Sequence, residues 1–343
     1  MFSGFTYDVL WYLIVIVALG FYVVLDGFDL GVGALHLFAR GDKERRVLLN
    51  SIGPVWDGNE VWLVIVGGAL FAGFPNAFAT IFSSFYVFAM LLVFGLIFRA
   101  VSIEFRSKVA SEKWRRNWDV AFSCASILIA FGTGLVLGNL IEGIALDAHQ
   151  DFTGSFLDFI RFYPILFGIT TVSLFAMHGA VYLAMKTDGA LFERTKQWTM
   201  HSMKAFVLLY VILTAATFYF APYMTKRLVQ YPILFLLPIG SLVLIFNLAR
   251  QLNRHNTGWA FLSSCGSILG FLSLFPIGTF PILVRSNIDP VQNSLTIVNA
   301  ASSELTLKVL LIIVVIGVPL VLAYGGYIYR VFRGKVELDD HSY

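Results

Sequence analysis

Two pairs of carboxylates lie inside segments of this chain that are otherwise apolar enough to cross a membrane. Asp57 and Glu60 belong to residues 54–62, which also hold an amide and two tryptophans, and Asp26 and Asp29 lie in the first apolar segment. Both pairs are spaced i,i+3, so on a helix the members of each pair share one face. An ionisable side chain at membrane depth costs about 3 kcal/mol on insertion scales and usually faces a protein surface or a polar path. The two pairs are therefore candidates for proton transfer.

The composition indicates a helical membrane protein that crosses the bilayer many times. The chain is 58% hydrophobic and only 13% charged, whereas soluble domains carry about 25% charged residues. Its apolar runs are continuous rather than alternating, which favours helices over a barrel. We predict that residues 1–343 form a single membrane domain with no nucleic-acid partner. The predicted spans lie at about 7–38, 55–74, 76–105, 117–143, 155–185, 198–221, 231–249, 257–284 and 302–332.

The basic residues of the loops predict the orientation of these nine spans. Most of the loop lysines and arginines follow spans one, three, five and seven or lie in the C-terminal tail. The opposite loops hold only Lys226, Arg227 and Arg285. Because cytoplasmic loops carry the excess of Lys and Arg, we expect the N-terminus outside and the C-terminus in the cytoplasm. A count of eight spans would break this alternation.

The predicted orientation places most of the intramembrane polar groups in the cytoplasmic half. Two interpretations remain open at this point. The charges could pair with one another and hold helices together, with Arg99 neutralising an aspartate. Alternatively, the carboxylates could form a proton-conducting or cofactor-facing patch, in an electron-transfer complex or in a proton-coupled transporter. The residues concerned are Asp26, Asp29, Asp57, Glu60, Arg99, Glu104, Asp119 and His178.

Two further patterns bear on packing and on cofactors. Gly27 and Gly31 form a small-xxx-small pair around Asp29, which predicts the close approach of another helix. His178 is the one histidine well inside a span, and a lone histidine there is more often a hydrogen-bonded core residue than a ligand. The sequence contains no spacing of histidines and cysteines typical of a haem or metal site. Any redox iron is therefore expected on another chain.

Several motifs, spread from the first span to the last, carry a resemblance to a known family. The longest are LDGFDLGVG at residues 25–33 and NSIGPVWDGNEVW at residues 50–62. With the shorter motifs, they make the chain similar to subunit II of the cytochrome bd quinol oxidases, including the cyanide-insensitive branch. The shorter motifs lie at 44–46, 68–71, 98–99, 104–108, 114–119, 138–139 and 301–307.

The resemblance implies a fold, a function and a partner. The fold would be two four-helix bundles plus one extra helix, in the inner membrane of a bacterial cell. The complex would oxidise quinol and reduce dioxygen to water, taking protons from the cytoplasm. Subunit I would hold haem b and haem d, so this chain would have no catalytic or metal-binding residue of its own. Small single-helix accessory subunits, surrounding lipid and a structural quinone are also compatible with the family.

The resemblance also implies roles for individual residues. Asp57, and with it Asp26, would belong to the proton route. Asp29, Arg99 and Asp119 would support the oxygen-reducing haem pair at the interface with subunit I. Some members of the family have Gln at the position of Glu60, which predicts that Glu60 is a bystander to the proton route.

Trp62 would line an oxygen channel that opens to the lipid. Two other functions remain as alternatives: a proton-coupled secondary transporter and an inert scaffold whose charges only pair. A transporter is expected to show broken helices around a midplane site in matching halves, and we find no such pair in the sequence.

Overall fold

The computed structural model describes residues 6–338, and most of these residues are helical. Two short strands, β1 (Ile282–Val284) and β2 (Leu295–Thr296), form the one sheet in the described part of the chain. The α-helices are α1 (Tyr7–Leu35), α2 (Gly41–Ile52), α3 (Trp56–Gly73), α4 (Pro75–Ser84), α5 (Tyr86–Phe105), α6 (Glu112–Glu142), α7 (Phe162–Lys186), α8 (Gly189–Phe220), α9 (Tyr223–Gln230), α10 (Leu236–Asn253), α11 (Thr257–Thr279) and α12 (Glu304–Val331).

Eight or nine of these helical segments are candidate spans. Between residues 6 and 338, eight helices are long and apolar enough to cross a membrane by themselves. Helices α2 and α3 meet at a bend of 49° and pass the same criteria as a pair, which gives nine spans when the pair is counted as one. Nine spans agree with the sequence prediction. The orientation of the termini remains a prediction.

The spans form two bundles and one outlying helix. In the first bundle α1 packs against α3 and α6, and α6 packs against α5. In the second bundle α7 packs against α8 and α11, and α10 packs against α11 and α8. The two bundles meet where α7 lies against α1 and α6. Helix α12 lies outside both bundles and packs mainly against α1 and α3. The predicted arrangement of two four-helix bundles plus one helix is confirmed.

The junction of the bundles depends on glycines. Gly31 of α1 lies directly against the Phe175 carbonyl and the backbone of Gly179 on α7, and a Cβ at Gly31 would clash with that carbonyl. Gly27 lies one turn earlier, against the Phe175 ring. The small-xxx-small pair thus brings two backbones together, as the sequence predicted.

The loops at the end of the bundles opposite α2 pack on each other. Strands β1 and β2 pair antiparallel, and Ile144 forms a bridge to Ser286. The carbonyl of Leu146 accepts hydrogen bonds from Asn293 Nδ2 at 2.9 Å and from Ser286 Oγ at 3.1 Å. Loops 144–154 and 285–301, each too short to fold alone, therefore form one small cap.

Several predicted boundaries were wrong. Helix α6 begins at Glu112 and α8 at Gly189, before the predicted starts at 117 and 198, because helices continue through polar turns that hydropathy excludes. Conversely, α7 begins at Phe162 rather than 155, and α11 ends at Thr279 rather than 284. The predicted span 76–105 is broken at Phe85 into α4 and α5.

Two helices lie in regions that the sequence predicted as loops. Helix α9 is one, and α2 is the other. In α2 the apolar side chains of Leu48, Leu49 and Ile52 are buried against the bundles, while charged residues occupy its other face. The average hydropathy of an amphipathic helix of this kind is too low for its sequence to indicate a membrane span.

We predict that Gly31→Ala destabilises the protein, because the added methyl group meets backbone atoms that cannot rotate away. Overpacking costs about 1–3 kcal/mol, and a backbone clash belongs at the upper end of that range. The measurement is thermal denaturation of the purified protein in detergent. The control is Gly68→Ala on α3, where nothing lies within 4 Å of the added atom. Equal stability of the two variants would contradict the prediction.

Candidate functional site

Arg99 connects three helices in the first bundle. Its Nη2 atom lies 2.7 Å from Asp26 Oδ1 on α1 and 2.8 Å from Glu60 Oε2 on α3. Arg99 and Asp26 have no exposed surface, and Glu60 is half-buried. A buried guanidinium is tolerated only with such partners. Arg99 thus pairs with an aspartate, as one of the two interpretations left open by the sequence has it, and Glu60 is a second partner in this contact.

Asp29 extends this cluster through an amide. Its Oδ2 atom accepts a hydrogen bond of 2.8 Å from Asn59 Nδ2, and Asn59 Oδ1 accepts one of 2.7 Å from the Tyr329 hydroxyl on α12. Asp29 is fully buried and lies within electrostatic reach of Asp26 and Arg99. Three carboxylates therefore lie within electrostatic reach of one guanidinium, two more than it can neutralise. Surplus carboxylates are the kind of group that takes up and releases protons.

Asp57 lies outside this buried cluster. It belongs to the first turn of α3, where the helix N-terminus favours a negative charge, and its side chain is exposed on the surface of the chain. Asn59 and Glu60 instead turn inward from the same helix. Of the two residues predicted for the proton route, Asp57 therefore lies at the surface and Asp26 lies in the interior.

Asp119 belongs to a second polar cluster, near the start of α6. Its Oδ1 atom lies 2.6 Å from both His36 Nε2 and Arg106 Nε, and its Oδ2 atom lies 3.0 Å from Arg45 Nη1. Arg106 in turn contacts Asp42 at 2.7 Å. Asp119, His36 and Arg106 are buried. Of the three predicted haem-supporting residues, Asp29 and Arg99 lie in one cluster and Asp119 lies in the other.

Trp62 lies in an apolar groove between α1, α3 and α12. Its ring stacks on Phe21 with the ring centroids 4.2 Å apart, and only 4% of it is exposed. The groove has a volume of about 460 Å³, and its far wall includes Leu310 and Ile313 of α12. Such a groove suits a small apolar solute.

Two buried histidines of the described chain, His178 and His36, are held by hydrogen bonds. Both ring nitrogens of His178 are hydrogen-bonded, to Ser264 Oγ at 2.7 Å and to the Val24 carbonyl at 2.9 Å. His178 is therefore the hydrogen-bonded core residue that its sequence context predicted. The Nε2 atom of His36 is taken up by Asp119. No group of three potential metal ligands occurs within residues 6–338.

The sequence profile of the cytochrome bd terminal oxidase subunit II family matches residues 7–332, nearly the whole chain. The chain belongs to this family. Subunit 2 of the cytochrome bd-I ubiquinol oxidase of Escherichia coli (strain K12) is 32% identical to it over 372 residues, covering 97% of each protein. Cytochrome bd ubiquinol oxidase subunit 2 of Bacillus subtilis (strain 168) is 32% identical over 331 residues, covering 96% of each.

The fold of this subunit II also has a solved counterpart. A chain of the bd oxidase from Geobacillus thermodenitrificans superposes with a TM-score of 0.79 at 18% identity, covering 95% of this chain and 98% of that one. The protein is thus a multi-pass bacterial membrane subunit of a cytochrome bd oxidase, which is an oxidoreductase, and membership of the family implies a subunit I partner.

Several residues of this subunit II site escaped the sequence analysis. His36 and Arg106, which bind Asp119, come from the end of α1 and from the turn after α5, and no spacing links them. Tyr329 was missed because it is one tyrosine among several near the end of the last span. Arg106 does lie in one of the family motifs, at 104–108, and that motif was the one available signal.

We predict that Arg99→Gln destabilises the protein by about 3–5 kcal/mol, because it leaves the buried Asp26 and the half-buried Glu60 without their cation. The measurement is the denaturation of the purified complex in mixed micelles. Adding Asp26→Asn should recover part of the loss by removing one uncompensated charge. The exposed Lys108→Gln serves as the control. Wild-type stability of Arg99→Gln would show that the ion pairs contribute nothing net.

Proposed function

We infer that this chain is the subunit of a bd-type oxidase that holds no haem, in a complex that oxidises quinol and reduces dioxygen to water. Haem b and haem d would be held by subunit I, and they would supply the electron transfer and oxygen chemistry. The single observation that carries this proposal is the family match over residues 7–332. It favours the oxidase over the transporter and over the inert scaffold.

Asp29, Arg99 and Asp119 would support the haem pair of the partner by fixing one end of the first bundle. The Arg99 cluster joins α1, α3 and α5. The Asp119 cluster joins the ends of α1 and α6 to α2 and to the turn after α5. Together they hold every helix of the first bundle near the same end. If subunit I packs on this bundle, it would therefore contact a rigid surface. That surface would keep the helices and haems of subunit I in position.

Protons would enter at Asp57 and reach Asp26. Asp57 is exposed, and it lies one turn before Glu60 on α3, within electrostatic reach of it. Glu60 shares Arg99 with Asp26. A proton taken up at the surface could thus pass inward along carboxylates, whose negative charges would compensate both the proton and the Arg99 guanidinium. In this proposal Glu60 is an intermediate station in this chain, although the Gln found in some relatives indicates that an acid at this position is not required throughout the family.

Dioxygen would arrive through the groove lined by Trp62. Dioxygen is apolar and concentrates in the hydrocarbon of the bilayer, so an apolar groove between α1, α3 and α12 gives it a path along the chain. The stacked ring of Phe21 fixes the orientation of Trp62. A structural quinone, accessory subunits and lipid remain compatible with this function.

The first test is purification of the complex through this subunit, followed by absorption spectroscopy. Haem bands of a co-purifying partner are expected. Asp29→Asn should weaken the haem d band per complex, because it changes a buried charge at the supporting surface. A preparation that contains this chain and its partner but no haem would contradict the oxidase function. An unchanged spectrum in Asp29→Asn would contradict only the role of Asp29.

The second test concerns the proton route. In Asp57→Asn we expect quinol-dependent oxygen consumption to fall at least tenfold, on the order of the contribution of a proton-transfer group, with the haem spectrum preserved. The oxygen electrode and the spectrum are read on the same sample. Glu112→Gln, at an exposed acid in the first turn of α6, is the matched control. Wild-type turnover in Asp57→Asn would remove this residue from the route.

A further inference from the structure

Tyr329 reaches the polar cluster from the one span that belongs to neither bundle. Its hydroxyl donates to Asn59 Oδ1 at 2.7 Å, and Asn59 Nδ2 donates to Asp29 Oδ2 at 2.8 Å. Asn59 is 2% exposed and Asp29 is not exposed at all. A carboxylate accepts but does not donate, whereas a phenol donates, so the two neighbours together fix which side of the amide faces Asp29.

The hydrogen bonds that hold α12 lie near its two ends, while apolar side chains such as Leu310 and Val318 pack against the first bundle along its length. Most of its side chains are exposed on this chain. At the end where it begins, Ser302 donates from its backbone to the Gly73 carbonyl at 2.9 Å, and Trp11 Nε1 donates to the Leu307 carbonyl at 2.9 Å. At the other end the Tyr329 hydroxyl contacts Asn59. The position of the Tyr329 hydroxyl therefore also depends on what anchors that far end.

A strap formed by residues 332–336 provides the anchor. Lys186 Nζ donates to the Phe332 carbonyl at 2.6 Å, and the backbone N–H of Val336 donates to the Lys186 carbonyl at 2.9 Å. Lys335 Nζ donates to the Thr187 carbonyl. The strap thus ties the end of α12 to the turn between α7 and α8, in the second bundle, while Tyr329 contacts the first bundle.

We propose that Tyr329 is a positioning residue for Asp29. Its hydroxyl holds the Asn59 amide in the orientation that donates to Asp29, and the strap at 332–336 keeps α12 where this contact forms. The proposal rests on the supporting role of Asp29 in the proposed function. Without the hydroxyl, the amide oxygen loses its donor in a buried place, and the amide can turn away from the carboxylate.

The test compares Tyr329→Phe, Asp29→Asn and the double variant in the purified complex with its partner subunit. The readouts are the haem d band per complex and the pH profile of turnover. We expect Tyr329→Phe to give the spectral change of Asp29→Asn in weaker form, with turnover lowered about three- to tenfold, the size of one hydrogen bond. The double variant should match Asp29→Asn, since Tyr329 acts through Asp29. Tyr324→Phe, at an exposed tyrosine on the same helix, is the control.

Each other outcome overturns the proposal. If Asp29→Asn is altered and Tyr329→Phe equals Tyr324→Phe, Tyr329 positions nothing, and the proposed function stands. If the defects of the two variants add in the double variant, or if Tyr329→Phe lowers only the yield of complex, the contact is merely structural. If Asp29→Asn itself is unchanged, the role of Asp29 fails and the positioning role fails with it.

The strap is tested separately with Lys186→Met, which removes the donor to Phe332. This variant should show the spectral and pH changes of Tyr329→Phe to a smaller extent, because α12 is displaced but the Tyr329 hydroxyl is still present. The exposed Lys204→Met on α8 is the matched control. A normal Lys186→Met beside an altered Tyr329→Phe would overturn the part of the proposal that concerns the strap.

Discussion

The pairing of Arg99 with Asp26 and Glu60 is the interaction on which the first bundle depends. In the hydrocarbon region there is no water to stabilise an isolated charge, so a guanidinium at this depth must be neutralised by the protein. The partners come from α1 and α3 while Arg99 comes from α5. Separating any of these helices would expose a charge to the apolar interior. The cost of that exposure, rather than the strength of the pair, defines the arrangement.

The same constraint explains why the polar residues form clusters instead of being scattered. Asp119 is surrounded by His36, Arg45 and Arg106, and Asp29 is held by Asn59. One end of the first bundle is therefore polar and tightly connected, while the middle of both bundles is packed with apolar side chains. The second bundle meets the first where α7 packs against α1 and α6, and close contacts such as that of Gly31 with Phe175 and Gly179 replace charge by shape there. Ion pairs thus hold the helices of the first bundle together, whereas close backbone contact holds the second bundle against the first.

The predicted part of the site and the missed part differ in kind. The acids at 26, 29, 57 and 60, and Arg99, were found because a charge in an apolar run is conspicuous in one dimension. Their partners were not conspicuous. Asn59 is an ordinary amide between two noted residues, and Tyr329 is 270 residues away from it in the chain. Glu60 was interpreted as a bystander because relatives replace it, although its carboxylate shares Arg99 with Asp26.

The sequence by itself determined the class of protein, the nine spans, the close glycine contact and the family, because hydrophobic length, small-residue spacing and long motifs are local properties of the chain. The tertiary structure decided which charges meet, that Asp57 faces outward while Asp26 faces inward, and that the last helix returns to the first bundle through Tyr329. It also decided that α2 and α9 are helices. These features depend on contacts between distant residues, and a one-dimensional pattern contains no distance between them.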